Sequence, residues 1–445
     1  MKNIPRFPES IAAMIRAVDY FEVTHVDNAM PEVPVMSPKL SVPLDPTTDG
    51  QWFVTGDIDG DGAVEIVTAR NHTDEGTPPH VTSVTARKLD GSMLWQWGDP
   101  AAGGWRLGYD VACQIHDWDG DGKLEVLLAT HSELVELDGA TGRERRRLKI
   151  PIGASDCLTF VDLSGAGRRG ELLVKDRYFN IYAINYDGKL LWHVGWPGGQ
   201  RTAHQPYPID IDGDGREEVV VGYALAGPDG KLRWTFEPPV YDEPLGHLDA
   251  CRVFRRGRTP GDWRLVCTAC GHRGILMLDG EGNKLWQHEG AHYESIDIGR
   301  LDPHDDSPRI VVDLVEWPAN VHSLMIIDEA GTQLGAMKLR NPRLHTTMDL
   351  LGLGHDQIVL PSARAVFGHR GQWLARLDLP AYGDIVQKGD MTGSGRVGMA
   401  VSTPDTEGEG RSPIPAKSMI HMFEITHPHA AKTDVLGCGE NYTLY

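Results

Sequence analysis

Asp57-Ile58-Asp59-Gly60-Asp61-Gly62-Ala63-Val64-Glu65-Ile66-Val67-Thr68 is a stretch that the chain repeats. It returns as Asp117-Trp118-Asp119-Gly120-Asp121-Gly122 ahead of Glu125, and as Asp210-Ile211-Asp212-Gly213-Asp214-Gly215 ahead of Glu218. In each copy carboxylates stand at the first, third, fifth and ninth positions, a set that can wrap a hard cation such as Ca2+ while the glycines admit the tight turn. An EF-hand would carry its closing Glu at the twelfth position, between two helices. Here the Glu opens a β-branched run and the twelfth position falls inside it, so the loop joins two strands.

The loop also serves as a ruler. Weaker copies begin at Asp162-Leu163-Ser164-Gly165, Phe254-Arg255-Arg256-Gly257, Arg300-Leu301-Asp302-Pro303, Asp349-Leu350-Leu351-Gly352 and Asp390-Met391-Thr392-Gly393. With the three full copies these mark eight units of roughly 40–60 residues, the scale of propeller blades. Each unit goes on to a third strand and a hairpin turn, as at Asp90-Gly91, Asp187-Gly188, Asp229-Gly230 and Asp279-Gly280, where Asp-Gly is a strong hairpin signal. A fourth strand follows, carrying Trp95, Trp192, Trp234 or Trp286. Four strands repeated eight times predict an all-β, eight-bladed β-propeller of antiparallel blades over residues 45–425. Seven blades is the alternative, because the unit beginning at Phe254 matches least well. The last unit shows three strands before Thr426, and Tyr20-Phe21-Glu22-Val23-Thr24-His25-Val26 reads as the missing one. Residues 1–44 are therefore expected to hold a strand that closes the ring, and residues 426–445 to form a tail packed on the propeller.

Composition narrows the function classes. The formal net charge of −20 over 445 residues argues against a nucleic-acid partner, which needs a basic face to neutralise phosphate. No apolar run approaches the length of a membrane span, so no membrane partner is expected. The first residues, Met1-Lys2-Asn3-Ile4-Pro5-Arg6, do not lead into the apolar core of a signal peptide, which points to a cytoplasmic location with secretion as the alternative. The six cysteines fall mostly in strand-like runs and are expected to be packed, reduced thiols; Cys267-Thr268-Ala269-Cys270 lacks the second pair of a zinc site.

In a propeller the first strand of each blade lines the central channel. The loops entering it and the loops between second and third strands converge on one face, where ligand sites concentrate. Reading those loops gives Trp105, Arg106 and Tyr109; Arg201, His204 and Tyr207; His247 and Asp249; His292 and Glu294; His345; then His72, His80, His131, Arg177, Tyr178, His272, Trp317 and Arg364. About nine of the 19 His lie in these loops. His72, His80, Arg106, Tyr109, His131, Arg177, Arg201, His204 and Tyr207 are the candidate catalytic groups. Trp105, Tyr178, His272, Trp317 and Arg364 are candidates for holding substrate. His247, Asp249, His292, Glu294 and His345 enter neighbouring blades at similar positions and are candidates for a second divalent cation near the channel.

Cations for a carboxylate, rings for sugar faces, and His or Tyr to move protons suit β-elimination from a uronate-containing glycan. The proton beside the carboxylate becomes acidic only once the carboxylate charge is neutralised. A glycoside hydrolase would want two carboxylic acids flanking the bond, and Asp110, Asp176, Asp249, Glu294 and Glu316 keep that alternative open. A non-catalytic carbohydrate- or protein-binding propeller is the other.

The Asp-x-Asp-Gly-Asp-Gly-x-x-Glu loops resemble FG-GAP/VCBS-type propeller repeats. With Gly246-His247-Leu248-Asp249-Ala250, Gly290-Ala291-His292-Tyr293-Glu294 and the ending Gly439-Glu440-Asn441-Tyr442-Thr443-Leu444-Tyr445, the chain resembles the propeller polysaccharide lyases of rhamnose–uronate glycans, the rhamnogalacturonan lyases and L-rhamnose-α-1,4-D-glucuronate lyases. The resemblance covers about residues 45–445. It implies Ca2+ in the blade loops, a further cation near the channel, and elimination on a uronate-containing oligosaccharide or polysaccharide.

Overall fold

The computed structural model describes residues 20–25, 30–72, 77–105, 110–237, 246–270, 273–316, 319–380, 383, 385–403, 418–428 and 430–438. Its strands form eight separate sheets, each with a four-stranded core, and in seven of them neighbours in the chain are neighbours in the sheet. Blade 1 is typical, with Trp52–Gly56, Glu65–Asn71, Val81–Arg87 and Met93–Gly98 pairing antiparallel in that order. Blades 2 to 8 span 113–149, 157–195, 202–235, 247–289, 292–338, 346–377 and 385–423. The weakest sequence unit is a complete blade 5, from His247–Arg255 to Lys284–Glu289, which removes the seven-bladed alternative.

Burial follows position in the blade. Second strands are packed on both faces by neighbouring blades, so Glu65–Asn71 is buried at every residue, whereas the outer strand Glu144–Lys149 has no buried residue. First strands of successive blades touch around the axis, Thr202–Ile209 against His247–Arg255 and that strand against His292–Gly299.

The recurring tryptophans act between blades. Trp95, Trp192, Trp234 and Trp286 each donate their indole N–H to a backbone carbonyl in the next blade's outer hairpin, those of Gly139, Pro228, Gly280 and Glu329, at 2.7, 3.1, 3.0 and 2.8 Å. The glycine under each ring has positive φ, and a Cβ on Gly230 would lie 2.6 Å from Trp192. The hairpin Gly therefore serves both the turn and the close approach of an aromatic ring.

The ring is closed by the N-terminal segment, though not by the stretch that the sequence suggested. Leu40–Pro43 is the fourth strand of blade 8, antiparallel to Met419–Phe423. Phe21–Thr24 instead adds a fifth, parallel strand to Gln333–Lys338 on blade 6, and Val35–Met36 does the same to Trp373–Leu377 on blade 7. The physical reason is chain continuity: only a strand just ahead of Trp52 can finish blade 8 and turn directly into blade 1. Both earlier runs cover outer edges that would otherwise be open templates for pairing. Residues 430–438 fold back over blade 8, where Asp390 bridges Leu436 and Gly437, and the Cys438 N–H donates to Thr55 Oγ1 of blade 1 at 2.9 Å.

All six cysteines are free thiols. No helix among the described residues is long and apolar enough to cross a membrane.

Candidate functional site

Loops 57–65, 117–125 and 210–218 connect first to second strands, so they lie on one face of the disc. The entry loops and the loops between second and third strands lie on the other. There, residues from blades 2 to 6 meet in one buried polar cluster. His204 enters with the first strand of blade 4, its Nδ1 3.1 Å from Asp110 Oδ2 ahead of blade 2 and its Nε2 3.4 Å from Tyr178 Oη of blade 3. With the carboxylate accepting from Nδ1–H, Nε2 is left to accept from the phenol. His247 Nε2 lies 3.2 Å from Asp249 Oδ1, His204 Nε2 lies 3.4 Å from the same oxygen, and His292 Nε2 lies 3.6 Å from Asp249 Oδ2. Glu294 stands 3.6 Å from His292 and is paired with Arg343 at 2.5 Å.

The cluster is graded from buried to wet. Asp110, His204, His247 and Asp249 are buried, whereas His292 and Arg177 keep about a quarter of their side chains exposed, at 26% and 23%. The Tyr178 ring is 4.4 Å from that of His247, and the Arg201 guanidinium stands 5.3 Å from the centre of the Tyr178 ring. Arg177 is tied to Asp156 at 3.1 Å and to Asp110 at 3.5 Å, and Lys175 is fully buried against Asp156 at 2.6 Å.

Burial dominates the local electrostatics. It raises the Tyr178 phenol above its ordinary range, raises the Glu294 carboxyl despite Arg343, and lowers His247 despite Asp249. Asp110, like Asp249 and His292, runs against burial. Burial pushes its carboxyl up, but the His204 hydrogen bond and the charges of His204, Arg177 and Lys175 together hold it below the usual carboxylate range.

The residues around Asp249 fit a divalent cation. One ligand atom each from His204, His247 and Asp249 lies within 4.8 Å of the others, and the same holds for Asp249, Cys270 and His292. His247 Nε2, Asp249 Oδ2 and His292 Nε2 are buried without a hydrogen-bond partner among the described residues. Imidazole and carboxylate donors suit several divalent metals.

Other sequence candidates lie elsewhere. His72, His80 and His131 form their own group on blades 1 and 2, with ring centres 4.8 Å apart for the first two and 5.7 Å for the last two. This trio adjoins the cluster through Ser155, whose hydroxyl donates to the Pro79 carbonyl at 2.6 Å. Trp105 is 6% exposed and packs in the core with Trp52 and Val111, leaving no face to stack on a sugar. Tyr207 and His345 line an axial cavity reached from the opposite face, and His345 Nε2 donates to the Val311 carbonyl at 3.0 Å. Two or three residues along a first strand carry a side chain well down the channel, which separates Tyr207 from His204. Arg364 belongs to blade 7, across the ring from Tyr178, and donates to the Leu379 carbonyl at 3.3 Å. Arg106, Tyr109, His272 and Trp317 lie outside the described residues. Asp156 was not singled out in sequence; its place at the mouth of blade 3, like that of Asp110 before blade 2, was the available signal.

The three full Asp loops keep the carboxylates together. Asp57, Asp59 and Asp61 offer oxygens within 4.8 Å of one another, as do Asp117, Asp119 and Glu125, and Asp210, Asp212 and Glu218. In the first, Glu65 is 1% exposed with Oε1 unpartnered, so the donor set fits a hard cation. A basic side chain from later in each blade already faces the set: Lys88 at 2.8 Å from Asp59 and from Asp61, Arg145 at 2.6 Å from Asp119, and Arg233 at 2.7 Å from Asp212. Burial first, with neighbouring carboxylates adding, pushes Glu65, Glu125 and Glu218 up to about 7. A carboxyl raised on folding stabilises below its unfolded pKa, and that contribution is lost as pH rises through the folded value. In chelator, stability should therefore fall between about pH 4.5 and 7 more steeply in the wild type than in Glu65→Gln, as read by calorimetry. Parallel slopes would refute the assignment.

No protein-family model matches the chain. Two curated relatives from Bacillus subtilis strain 168 do align. Rhamnogalacturonan endolyase YesW is 25% identical over 292 residues, which is 48% of this chain and 44% of that protein. Rhamnogalacturonan exolyase YesX is 25% identical over 349 residues, 60% of this chain and 53% of that protein. The chain thus spans about half the length of the curated relatives it matches. The crystal structure of YesW superposes with a TM-score of 0.58 at 19% identity, covering 88% of this chain and 77% of that one, and shows the shared fold. In sequence, then, this eight-bladed propeller is similar to two rhamnogalacturonan lyases over part of their length.

Proposed function

We propose that the protein is a polysaccharide lyase that cleaves a rhamnose- and uronate-containing glycan of the rhamnogalacturonan type by β-elimination at the Tyr178–His204–Asp110 cluster. The observation that carries this reading is the hydrogen-bonded series Asp110, His204, Tyr178 beneath the guanidinium of Arg201. The partial similarity to two rhamnogalacturonan lyases supports the substrate class.

Arg201, whose Nε is buried without a hydrogen-bond partner among the described residues, takes the uronate carboxylate, while Arg177 is already held by Asp156 and Asp110. With that charge met, the C5 proton is acidic enough to leave. Tyr178 Oη takes it as its own proton passes to His204 Nε2, and Asp110 stabilises the imidazolium. The C5–H electron pair forms the C4–C5 double bond and the C4–O bond breaks. The departing oxygen recovers the proton from His204 through Tyr178. Burial, which raises the Tyr178 pKa, keeps the phenol protonated so that it can relay the proton back. Asp110 and Asp249 are buried and spent on imidazoles, unlike the accessible carboxylic-acid pair a hydrolase needs. Were a divalent cation held by Asp249, Cys270 and His292, with His204 Nε2 left to the phenol, it would supply further neutralisation of the uronate carboxylate. The assay is ultraviolet absorbance of the unsaturated uronate on rhamnogalacturonan. New reducing ends without absorbance would favour hydrolysis, and retention without either would favour a binding module.

We infer that the blade loops hold Ca2+ through Asp57, Asp59, Asp61 and Glu65, through Asp117, Asp119, Asp121 and Glu125, and through Asp210, Asp212, Asp214 and Glu218. An ion at about 100 times its Kd adds about 2.7 kcal/mol per site. EGTA should lower the melting temperature by several degrees and added Ca2+ restore it; an unchanged melt would sink the proposal.

A further inference from the structure

A large cavity lies away from the histidine cluster. It occupies the axis, about 770 Å3 in volume, lined by the first strands of blades 4 to 8, and none of Asp110, Tyr178, His204, His247, Asp249 or His292 reaches it. Asp210 and Gly213 of a blade loop stand at its rim, so it opens on the face opposite the cluster.

Its wall holds buried polar atoms without a hydrogen-bond partner among the described residues. Gln387, 4% exposed, donates its amide N–H to the Phe53 carbonyl, which fixes the amide and leaves Oε1 without a partner. His345, 6% exposed, spends Nε2–H on the Val311 carbonyl, so its unpartnered Nδ1 is an acceptor. Gln205 Nε2 is a buried donor with no partner. Two acceptors and a donor thus line one chamber, together with the rings of Tyr207 and Trp263.

The chemistry of that set selects among ligands. An apolar occupant would leave each orphan unpaired at a cost of about 1–3 kcal/mol. An anion such as phosphate would need unspent cations, but Lys388 is paired with Asp297 at 3.0 Å, Arg169 with Glu217 at 2.8 Å, Arg252 donates to the Cys251 carbonyl at 2.9 Å and Arg256 lies 5.9 Å over the Trp263 ring, while Asp210 adds negative charge to the same wall. A polyhydroxylated, uncharged molecule answers both points, since each hydroxyl both donates and accepts and each sugar ring has an apolar face for an aromatic. The volume lies within the range of small-ligand sites. We propose that the axial cavity is a second saccharide site, distinct from the cluster and specific for an uncharged mono- or disaccharide or the neutral end of a glycan.

The test is saturation-transfer NMR and calorimetric titration of the full chain with L-rhamnose, D-galactose and D-glucose, with D-galacturonate as the charged comparator. At least one neutral sugar should bind, and Gln387→Leu and Tyr207→Ala should each weaken it by tenfold or more, while Tyr178→Phe on the other face leaves it unchanged. Should Gln387→Leu fail to fold, Tyr207→Ala carries the test. The proposal is overturned if no neutral sugar binds, which would make the chamber a water channel. It is equally overturned if binding is lost in Tyr178→Phe but kept in Tyr207→Ala, or if galacturonate binds more tightly than every neutral sugar. None of these outcomes depends on whether the cluster performs elimination.

Discussion

Tyr178→Phe should lower turnover on rhamnogalacturonan by about 10²–10⁴-fold, the usual contribution of a positioned general acid or base. The change removes one oxygen from a half-buried ring whose packing against His247 at 4.4 Å and under Arg201 at 5.3 Å is kept. KM should change little, because the carboxylate is held by arginine and the phenol acts on the proton. Asp110→Asn is the companion test. It keeps the shape but lets the amide favour the wrong imidazole tautomer, so His204 Nε2 would no longer accept from Tyr178, and activity should fall by a comparable factor. Near-full activity in Tyr178→Phe would remove the phenol from the mechanism. Were His72→Ala, His80→Ala or His131→Ala then inactive, the chemistry would move to that neighbouring trio.

Lys175→Met should be the most destabilising single change in the region, by about 3–5 kcal/mol. Both Lys175 and Asp156 side chains are fully buried, 2.6 Å apart, and Lys175 also donates to the Arg177 carbonyl at 2.8 Å. Burial alone would pull the lysine pKa down, but Asp156 and Asp110 hold it above the ordinary value, so the charge is retained inside. Removing it strands the Asp156 carboxylate with only Arg177 at 3.1 Å. Lys175→Met combined with Asp156→Leu should recover part of the loss, since replacing both partners leaves no buried charge unpaired. The double variant frees Arg177 and should still impair activity, separating stability from site geometry. Urea unfolding measures the first effect; a loss below about 1 kcal/mol would show that the pair is not sealed from water.

The two kinds of residue were not equally legible beforehand. The Asp loops are local: ligands, glycines and the strand that follows sit within a dozen residues, so the spacing carries both turn and donor set. The tryptophans were visible as a periodic signal, but their role was not, because each donates to a carbonyl some forty residues away in the next blade. The closing strand shows the limit of pattern. Phe21–Thr24 and Leu40–Pro43 are both short extended runs, and only continuity into Trp52–Gly56 decides which finishes blade 8.

The amino-acid order by itself determined the repeat, its length, the all-β class and the crowding of His, Arg and Tyr into loops of one face, since these follow from residue type and from side-chain alternation along strands. Tertiary structure alone decided which of those residues meet. Tyr207 and His204 share a strand yet face different chambers, because depth along the channel separates them. His345 enters its blade much as His247 does, but is spent on the Val311 carbonyl, while Asp110, Tyr178, His204 and Asp249 come from four different blades and meet only where the ring curves their entry loops together. Contacts between residues dozens of positions apart depend on the rotation from blade to blade, and no local spacing in the chain encodes that angle.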